Sequence, residues 1–351
     1  MKAAVWHKAE DLRVEELPEP SPAPGQLKLK VTRVGICGTD LHEYLKGPIF
    51  IPTTPHPLTG MQAPVALGHE FCGEVVAVGK GVTGITEGTR VAVDACICCG
   101  TCWYCRRGAF PLCDQVGFTG LAAHGGMAEY AVIPAYAAYP LPDTVSDDQG
   151  ALVEPISVAV HAMRKAELQP GDTVAVLGAG PIGLVTAMAA RTFGAARVFV
   201  VEKAKARMEQ AKALGATAVI DPAAGDPVDQ LRGLTQGRGA DIVFECIGHK
   251  DTAPLAVEMA RKGGKAVIVG IFEEPSVLSF NSLVFGEKQI RSAIGYTGEF
   301  STTIQLIADG RLRPQQLITG RIGLDDVVEK GFLELIHHKD RHVKILIDPQ
   351  G

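Results

Sequence analysis

The chain has 351 residues, 46% of them hydrophobic and 21% charged, and a net charge of −5 from 34 Lys+Arg against 39 Asp+Glu. That length accommodates roughly two domains of about 150 residues each, and mild acidity without a block of like charge argues against nucleic acid or an anionic membrane as the main partner. No apolar run reaches the roughly 18–20 residues of a membrane helix, and Lys8, Glu10 and Asp11 interrupt the N-terminus before a signal-peptide core forms, so a cytoplasmic protein is expected.

Up to about residue 150, short apolar runs alternate with Gly and Pro: LKLKVTRVGI, EFCGEVVAVGKGV, TRVAVDACI and MAEYAVIP. Their length and turn signals predict a mostly-β region. Pro18-Glu-Pro-Ser-Pro-Ala-Pro24 lacks the N–H groups a ladder needs and reads as a stiff extended connector.

Within this region lie Gly35-Ile-Cys37-Gly-Thr39-Asp40-Leu-His42, after a strand, and Gly68-His69-Glu70, at the start of another. Val153-Glu154-Pro155 follows at the end of the region. Singly each is ordinary, because a lone Cys is more often core than ligand. Together Cys37, His69, Glu70 and Glu154 offer a thiolate, an imidazole and two carboxylates, whereas a catalytic zinc needs about three protein ligands and an open position. The 31 residues between Cys37 and His69 are apolar and proline-rich, and we expect a rim over a pocket there, with Tyr44, Phe50 and Ile51 in its wall.

Six of the nine cysteines fall between Cys96 and Cys113. Cys99, Cys102, Cys105 and Cys113 make C-x2-C-x2-C-x7-C, the short spacing that wraps four thiolates around one structural Zn²⁺. Cys96 also begins a C-x2-C, but only the Cys99 register accommodates all four at x2, x2, x7. Ala123-His124-Gly-Gly126 reads as a turn rather than a ligand.

From about residue 171 the rhythm changes. TVAVLGAG, RVFVVE, TAVID, ADIVFECIG, KAVIVGI and QIRSAIGY are strand-like, with helix-like stretches such as PIGLVTAMAARTFG between them. That alternation predicts a doubly wound parallel sheet built from right-handed βαβ units. The first strand runs into Gly178-Ala-Gly180-Pro181-Ile182-Gly183 and then a helix. Gly178 permits the tight turn, Gly180 lets the backbone approach a pyrophosphate, and Gly183 lets helix and strand pack closely. Glu202, ending the next strand, is placed to bind the adenosine ribose hydroxyls and would repel a 2′-phosphate, which favours NAD over NADP. Lys203 and Arg207 stand close by and pull the other way. After about 297 two helical pieces and a last strand, HVKILIDP, could return to the first domain.

In order and rough spacing, GICGTD, GHE, the four-cysteine lobe, VEP and GAGPIG resemble the zinc-dependent medium-chain alcohol dehydrogenases over the whole chain. HEYLKGPIFIP and HPLTG look most like the 2,3-butanediol dehydrogenase branch, especially the (R,R)-type, with the sorbitol (polyol) and L-threonine branches nearby. The resemblance implies an α/β protein: a GroES-like, mostly-β catalytic domain over 1–153 with its zinc lobe at about 96–113. A Rossmann NAD-binding domain over 154–295 and a C-terminal return over 296–351 would follow. It implies two Zn²⁺ per chain. Cys37, His69, Glu70 and Glu154 match the catalytic set, one glutamate ligating directly while the other holds a bound water or exchanges with it. Thr39 and His42 match the proton relay, running through a nicotinamide-ribose hydroxyl. A homodimer or homotetramer joined at the strand around Gln289–Ile294 is implied too. A catalytically silent nucleotide- and zinc-binding protein is the non-enzyme alternative, and the presence of Cys37, His69 and Glu154 weighs against it.

Overall fold

The computed structural model describes all residues, 1–351. They form two compact units, Met1–Glu154 with Thr297–Gly351, and Pro155–Tyr296. These boundaries stand one residue from 153/154 and 295/296.

The first unit is β-rich because its runs alternate. β1 (Lys2–Lys8), β2 (Asp11–Glu16) and β4 (Val65–Ala66) make a three-stranded sheet in the order β2-β1-β4. The larger sheet centres on β3 (Gln26–Gly35), which pairs antiparallel with β5 (Glu70–Val78), Gly35 standing opposite Glu70. That register places the residues after β3 beside the residues that open β5. β6 (Arg90–Val93) extends the sheet; β7 (Cys96–Ile97) pairs with β8 (Gly117–Phe118) at the base of the cysteine lobe; and β9 (Tyr130–Pro134) and β10 (Ala138–Pro140) complete the side on β3 and β6. α1 (Gly38–Lys46) follows β3 directly, α2 (Asp147–Gly150) ends the region, and α3 (Val153–Ala166) begins at its last residues and runs on in the second unit.

The second unit is a six-stranded parallel sheet, order β13-β12-β11-β14-β15-β16. Its strands are β11 (Thr173–Leu177), β12 (Arg197–Val201), β13 (Ala218–Ile220), β14 (Ala240–Glu245), β15 (Ala260–Ile268) and β16 (Gln289–Ser292). Between them run α4 (Pro181–Thr192), α5 (Lys205–Ala213), α6 (Pro227–Leu234), α7 (Thr252–Met259) and α8 (Phe280–Gly286). Every residue of β11 is buried, as a strand covered on both faces requires.

The tail contributes α9 (Phe300–Ala308), β17 (Ile318–Gly323), α10 (Glu334–His337) and β18 (Lys344–Asp348). β18 pairs antiparallel with β3 and parallel with β17, so the last strand joins the first unit's sheet. The core of this unit gathers Trp6, Leu27, Leu29, Phe71, Phe332 and Ile345. Tyr44 and Ile51 belong to that core: Tyr44 packs edge-on against Phe332, with ring centroids 5.5 Å apart, and Ile51 is 3% exposed. Both side chains are held in that core, whereas Phe50, like Ile49 before it, is exposed. No helix is long and apolar enough to cross a membrane.

Candidate active site

The β3–β5 register brings three chemistry-bearing residues together. Cys37 at the start of α1 and His69 and Glu70 at the start of β5 place their ligand atoms within 4.8 Å of one another. A thiolate, an imidazole and a carboxylate at that spacing fit one ion with Zn–S near 2.3 Å and Zn–N and Zn–O near 2.0–2.2 Å. Glu154, at the start of α3, is buried but does not belong to this tight group.

Two further charged side chains organise the group. Asp40, fully buried, accepts from the Cys37 N–H through Oδ2 at 2.9 Å and faces His69 Nδ1 through Oδ1 at 3.4 Å. One carboxylate thus caps the first turn of α1 and stands beside the imidazole Nδ1. A ligating histidine commonly has its second nitrogen held in this way. Burial pushes the His69 pKa down, but the negative charges of Asp40 and Cys37 outweigh it and hold it well above the ordinary value. Across the cluster, Lys344 Nζ donates to both Glu70 oxygens, at 2.8 and 2.6 Å, and to Ile36 O at 2.9 Å. Burial disfavours this ammonium, yet Glu70, Cys37 and Glu154 raise its pKa above the ordinary lysine value.

Thr39 and His42 lie on α1, both half-buried. Three residues apart, they share one helix face one turn from each other.

In the lobe the structure gathers Cys99, Cys102, Cys105 and Cys113, with Cys99 Sγ 3.9 Å from Cys105 Sγ. A tetrahedron with Zn–S of about 2.3 Å has edges of about 3.8 Å, so the spacing suits the metal. Backbone N–H groups point at the sulfurs: Cys102 N–H at Cys99 Sγ, Cys105 N–H at Cys102 Sγ and Cys99 N–H at Cys113 Sγ, all at 3.3–3.4 Å. Hydrogen bonds from Thr101 and Cys102 lower Cys99 to about 6. Cys96 and Cys98 stay outside the four; burial pushes both thiols upward. Trp103, Phe110 and Leu112 are exposed rather than packed as a core, so the thiolate cluster is the lobe's natural centre.

At the glycine turn, Gly178 has φ +94°, and a Cβ on Gly183 would stand 2.0 Å from Gly178 O, so neither position tolerates a side chain. Above Gly180 there is open space: a Cβ there would meet nothing nearer than Arg207 Nη1 at 4.0 Å. The buried Arg207 Nε has no hydrogen-bond partner. Free space over a backbone turn, the N-terminus of α4 and an unsatisfied cationic donor suit a pyrophosphate. Glu202 Oε2 accepts from Ala179 N–H at 2.9 Å, and Oε1 from the N–H groups of Lys203 and Ala204 at 2.7 and 2.9 Å. Its carboxylate braces the turn itself. The Lys203 side chain is exposed.

The chain matches the family model described as alcohol dehydrogenase GroES-like domain over residues 23–143, and that described as zinc-binding dehydrogenase over 181–309. It is 42% identical to (R,R)-butanediol dehydrogenase of Bacillus subtilis (strain 168), covering 99% of this chain and 100% of that one. The chain belongs to the zinc-dependent alcohol dehydrogenases. Other members of the family include an (R,R)-butanediol dehydrogenase of Neisseria gonorrhoeae, 38% identical with 99% of both chains covered, and a sorbitol dehydrogenase of Bacillus subtilis, 33% identical with 99% and 97% covered. The crystal structure of 2R,3R-butanediol dehydrogenase from Bacillus subtilis superposes with a TM-score of 0.94 over 99% of both chains. An alcohol dehydrogenase from Escherichia coli CFT073 in complex with NADH superposes with a TM-score of 0.91 at 29% identity, again over 99% of both chains. The dehydrogenase therefore has a GroES-like domain and a Rossmann-type domain, and uses zinc and a nicotinamide cofactor.

Three residues of this dehydrogenase carry more than their motifs disclose. Asp40 stands inside GTD, and its spacing of three from Cys37 is the available signal for a helix-capping carboxylate. Lys344 is 274 residues from Glu70 in the chain, and nothing local marks it. Glu43, fully buried on α1, accepts from the backbone N–H groups of Ile49, Phe50 and Ile51, which ties the 47–51 segment to the helix carrying Thr39 and His42.

Proposed function

We infer that this dehydrogenase interconverts a vicinal secondary diol and its hydroxyketone, with (R,R)-2,3-butanediol and acetoin as the best-supported pair, using NAD and two Zn²⁺ per chain. The observation that carries the zinc chemistry is the cluster of Cys37, His69 and Glu70 braced by Asp40 and Lys344. Full-length similarity to two (R,R)-butanediol dehydrogenases supports the substrate. When bound, the catalytic zinc supplies a Lewis acid that lowers a hydroxyl pKa toward about 7, and the nicotinamide supplies the hydride acceptor.

The chain's residues do the rest. Cys37, His69 and Glu70 hold the ion, with Glu154 as the second carboxylate able to replace Glu70. Three anionic groups, Cys37, Glu70 and Glu154, would oppose alkoxide formation if all faced the ion at full charge. Lys344, locked on Glu70, removes one of them from the balance. The Thr39 hydroxyl takes the alcohol proton, and His42, one turn along the same face, carries it outward. Cys99, Cys102, Cys105 and Cys113 hold the structural ion.

Gly178, Gly180, Pro181, Ile182 and Gly183 shape the pyrophosphate site, beside Arg207. Glu202 supports NAD, because a carboxylate near the ribose opposes a 2′-phosphate. Nine unpaired cysteines suit the reducing cytoplasm. β16 is the free edge of its sheet with Ile290 and, just beyond it, Ile294 exposed, which supports a dimer, or a tetramer built from dimers, joined along Gln289–Ile294.

Initial rates with NAD and NADP on (2R,3R)-butanediol, meso-butanediol, sorbitol and threonine test the reading. Fastest turnover of the (2R,3R)-diol with NAD is expected. Sorbitol preferred would move the protein to the second reading, which its sorbitol dehydrogenase relative favours.

A further inference from the structure

The Rossmann-type unit carries a second cleft, of about 660 Å³, that the dehydrogenase reaction does not use. It lies at the opposite end of the parallel sheet from the glycine turn. Gly178 follows the C-terminal end of β11, whereas Arg238 precedes β14, Arg261 and Lys262 open β15, and Lys288 precedes β16. With Arg232, near the end of α6, five cationic side chains line this one cleft, and the exposed Phe285 of α8 adds an aromatic wall.

Part of the charge has a structural explanation. α6, α7 and α8 all end here, and their last carbonyls attract cations. Lys288 Nζ donates to Val257 O at 2.6 Å, and Arg238 Nε to Thr235 O at 3.5 Å. Carboxylates answer more of it: Asp241 accepts from Arg261 Nε at 2.6 Å, Asp229 stands 3.9 Å from Arg232, and Glu258 acts on Lys288. The remainder is uncompensated. Arg238 meets no carboxylate, its side-chain partner being the neutral Gln236 at 3.1 Å, and Lys262 is exposed on the rim. Burial, with the neighbouring Arg232 charge, holds the Lys288 pKa below its ordinary value. Like charges gathered around an open cleft repel one another until an anion sits between them.

We propose that this cleft binds a small multivalent anion, held by Arg232, Arg238 and Lys262 with Phe285 against its carbon frame. The volume falls in the range of small-molecule sites, and guanidinium forks match phosphate and carboxylate oxygens in pairs. Phosphate esters and polycarboxylates share that chemistry. The site lies outside the nucleotide turn, so its occupant and the cofactor bind together.

Calorimetric titration of the zinc-loaded enzyme, saturated with NADH to occupy the glycine turn, tests it with pyrophosphate and, separately, citrate. Saturable one-to-one binding of at least one probe is expected, and which one binds identifies the frame. Arg232→Gln with Lys262→Gln, both at exposed positions, should weaken it at least about tenfold while NADH affinity and thermal stability stay unchanged. Failure of both probes to saturate, or binding that the double variant leaves intact, would overturn the proposal. Neither outcome depends on which alcohol the enzyme oxidises.

Discussion

Lys344 Nζ lies 2.6 and 2.8 Å from the two oxygens of Glu70, and both side chains are buried. The last strand of the chain therefore places its one buried cation against the carboxylate that stands with Cys37 and His69. Removing one partner of a buried pair leaves the other uncompensated, which costs about 3–5 kcal/mol. Lys344→Met should lose that much stability in urea unfolding, and adding Glu70→Gln should recover a large part. A loss below about 1 kcal/mol, or no recovery in the double variant, would show the pair to be incidental.

Asp40 faces His69 Nδ1 and accepts from the Cys37 N–H. Asp40→Asn keeps the shape but loses the charge that orients the ring. Affinity for the catalytic ion should fall about 10–100-fold, read by competition with a chelator, while the ion of the cysteine lobe is retained. Equal loss of both ions would point to general unfolding instead.

His42→Ala should lower turnover by about 10² and displace the pH optimum upward, with zinc content unchanged. An unshifted pH profile would remove His42 from the proton path.

His124 Nδ1 accepts from Ala66 N–H at 3.0 Å, and burial lowers its pKa below the ordinary value. The unfolded chain then takes up the proton first as pH falls. Its stabilising contribution is full above about pH 6.5 and is lost below that, as pH falls through the depressed folded value. His124→Asn, which keeps an acceptor that does not titrate, should flatten the fall in Tm between pH 7 and 5. An identical slope in both proteins would assign the pH dependence elsewhere.

Much of the architecture was legible because its signals are local. The glycine turn sits between a fully buried strand and a helix, and the six runs after residue 171 each form a strand of one parallel sheet. The four lobe cysteines lie within 15 residues of one another. Cys37, His69 and Glu70 needed the β3–β5 register, which no motif states. Lys344 was invisible because its role depends on β18 returning to β3. An apolar loop residue serves equally as pocket wall or as core, so the packing of Tyr44 against Phe332, and of Ile51 in the same cluster, is not legible in the sequence. For Glu202 the sequence points toward the nucleotide, and the turn geometry adds the Ala179, Lys203 and Ala204 N–H groups that hold its carboxylate.

The most direct measurement is zinc stoichiometry by elemental analysis of the wild-type protein and Cys37→Ser, beside their NAD-linked oxidation of (2R,3R)-butanediol. Two zincs per chain, falling to one with loss of turnover in Cys37→Ser, is the predicted result. One zinc in the wild type, or two zincs and full turnover in Cys37→Ser, would contradict a catalytic ion held by Cys37, His69 and Glu70.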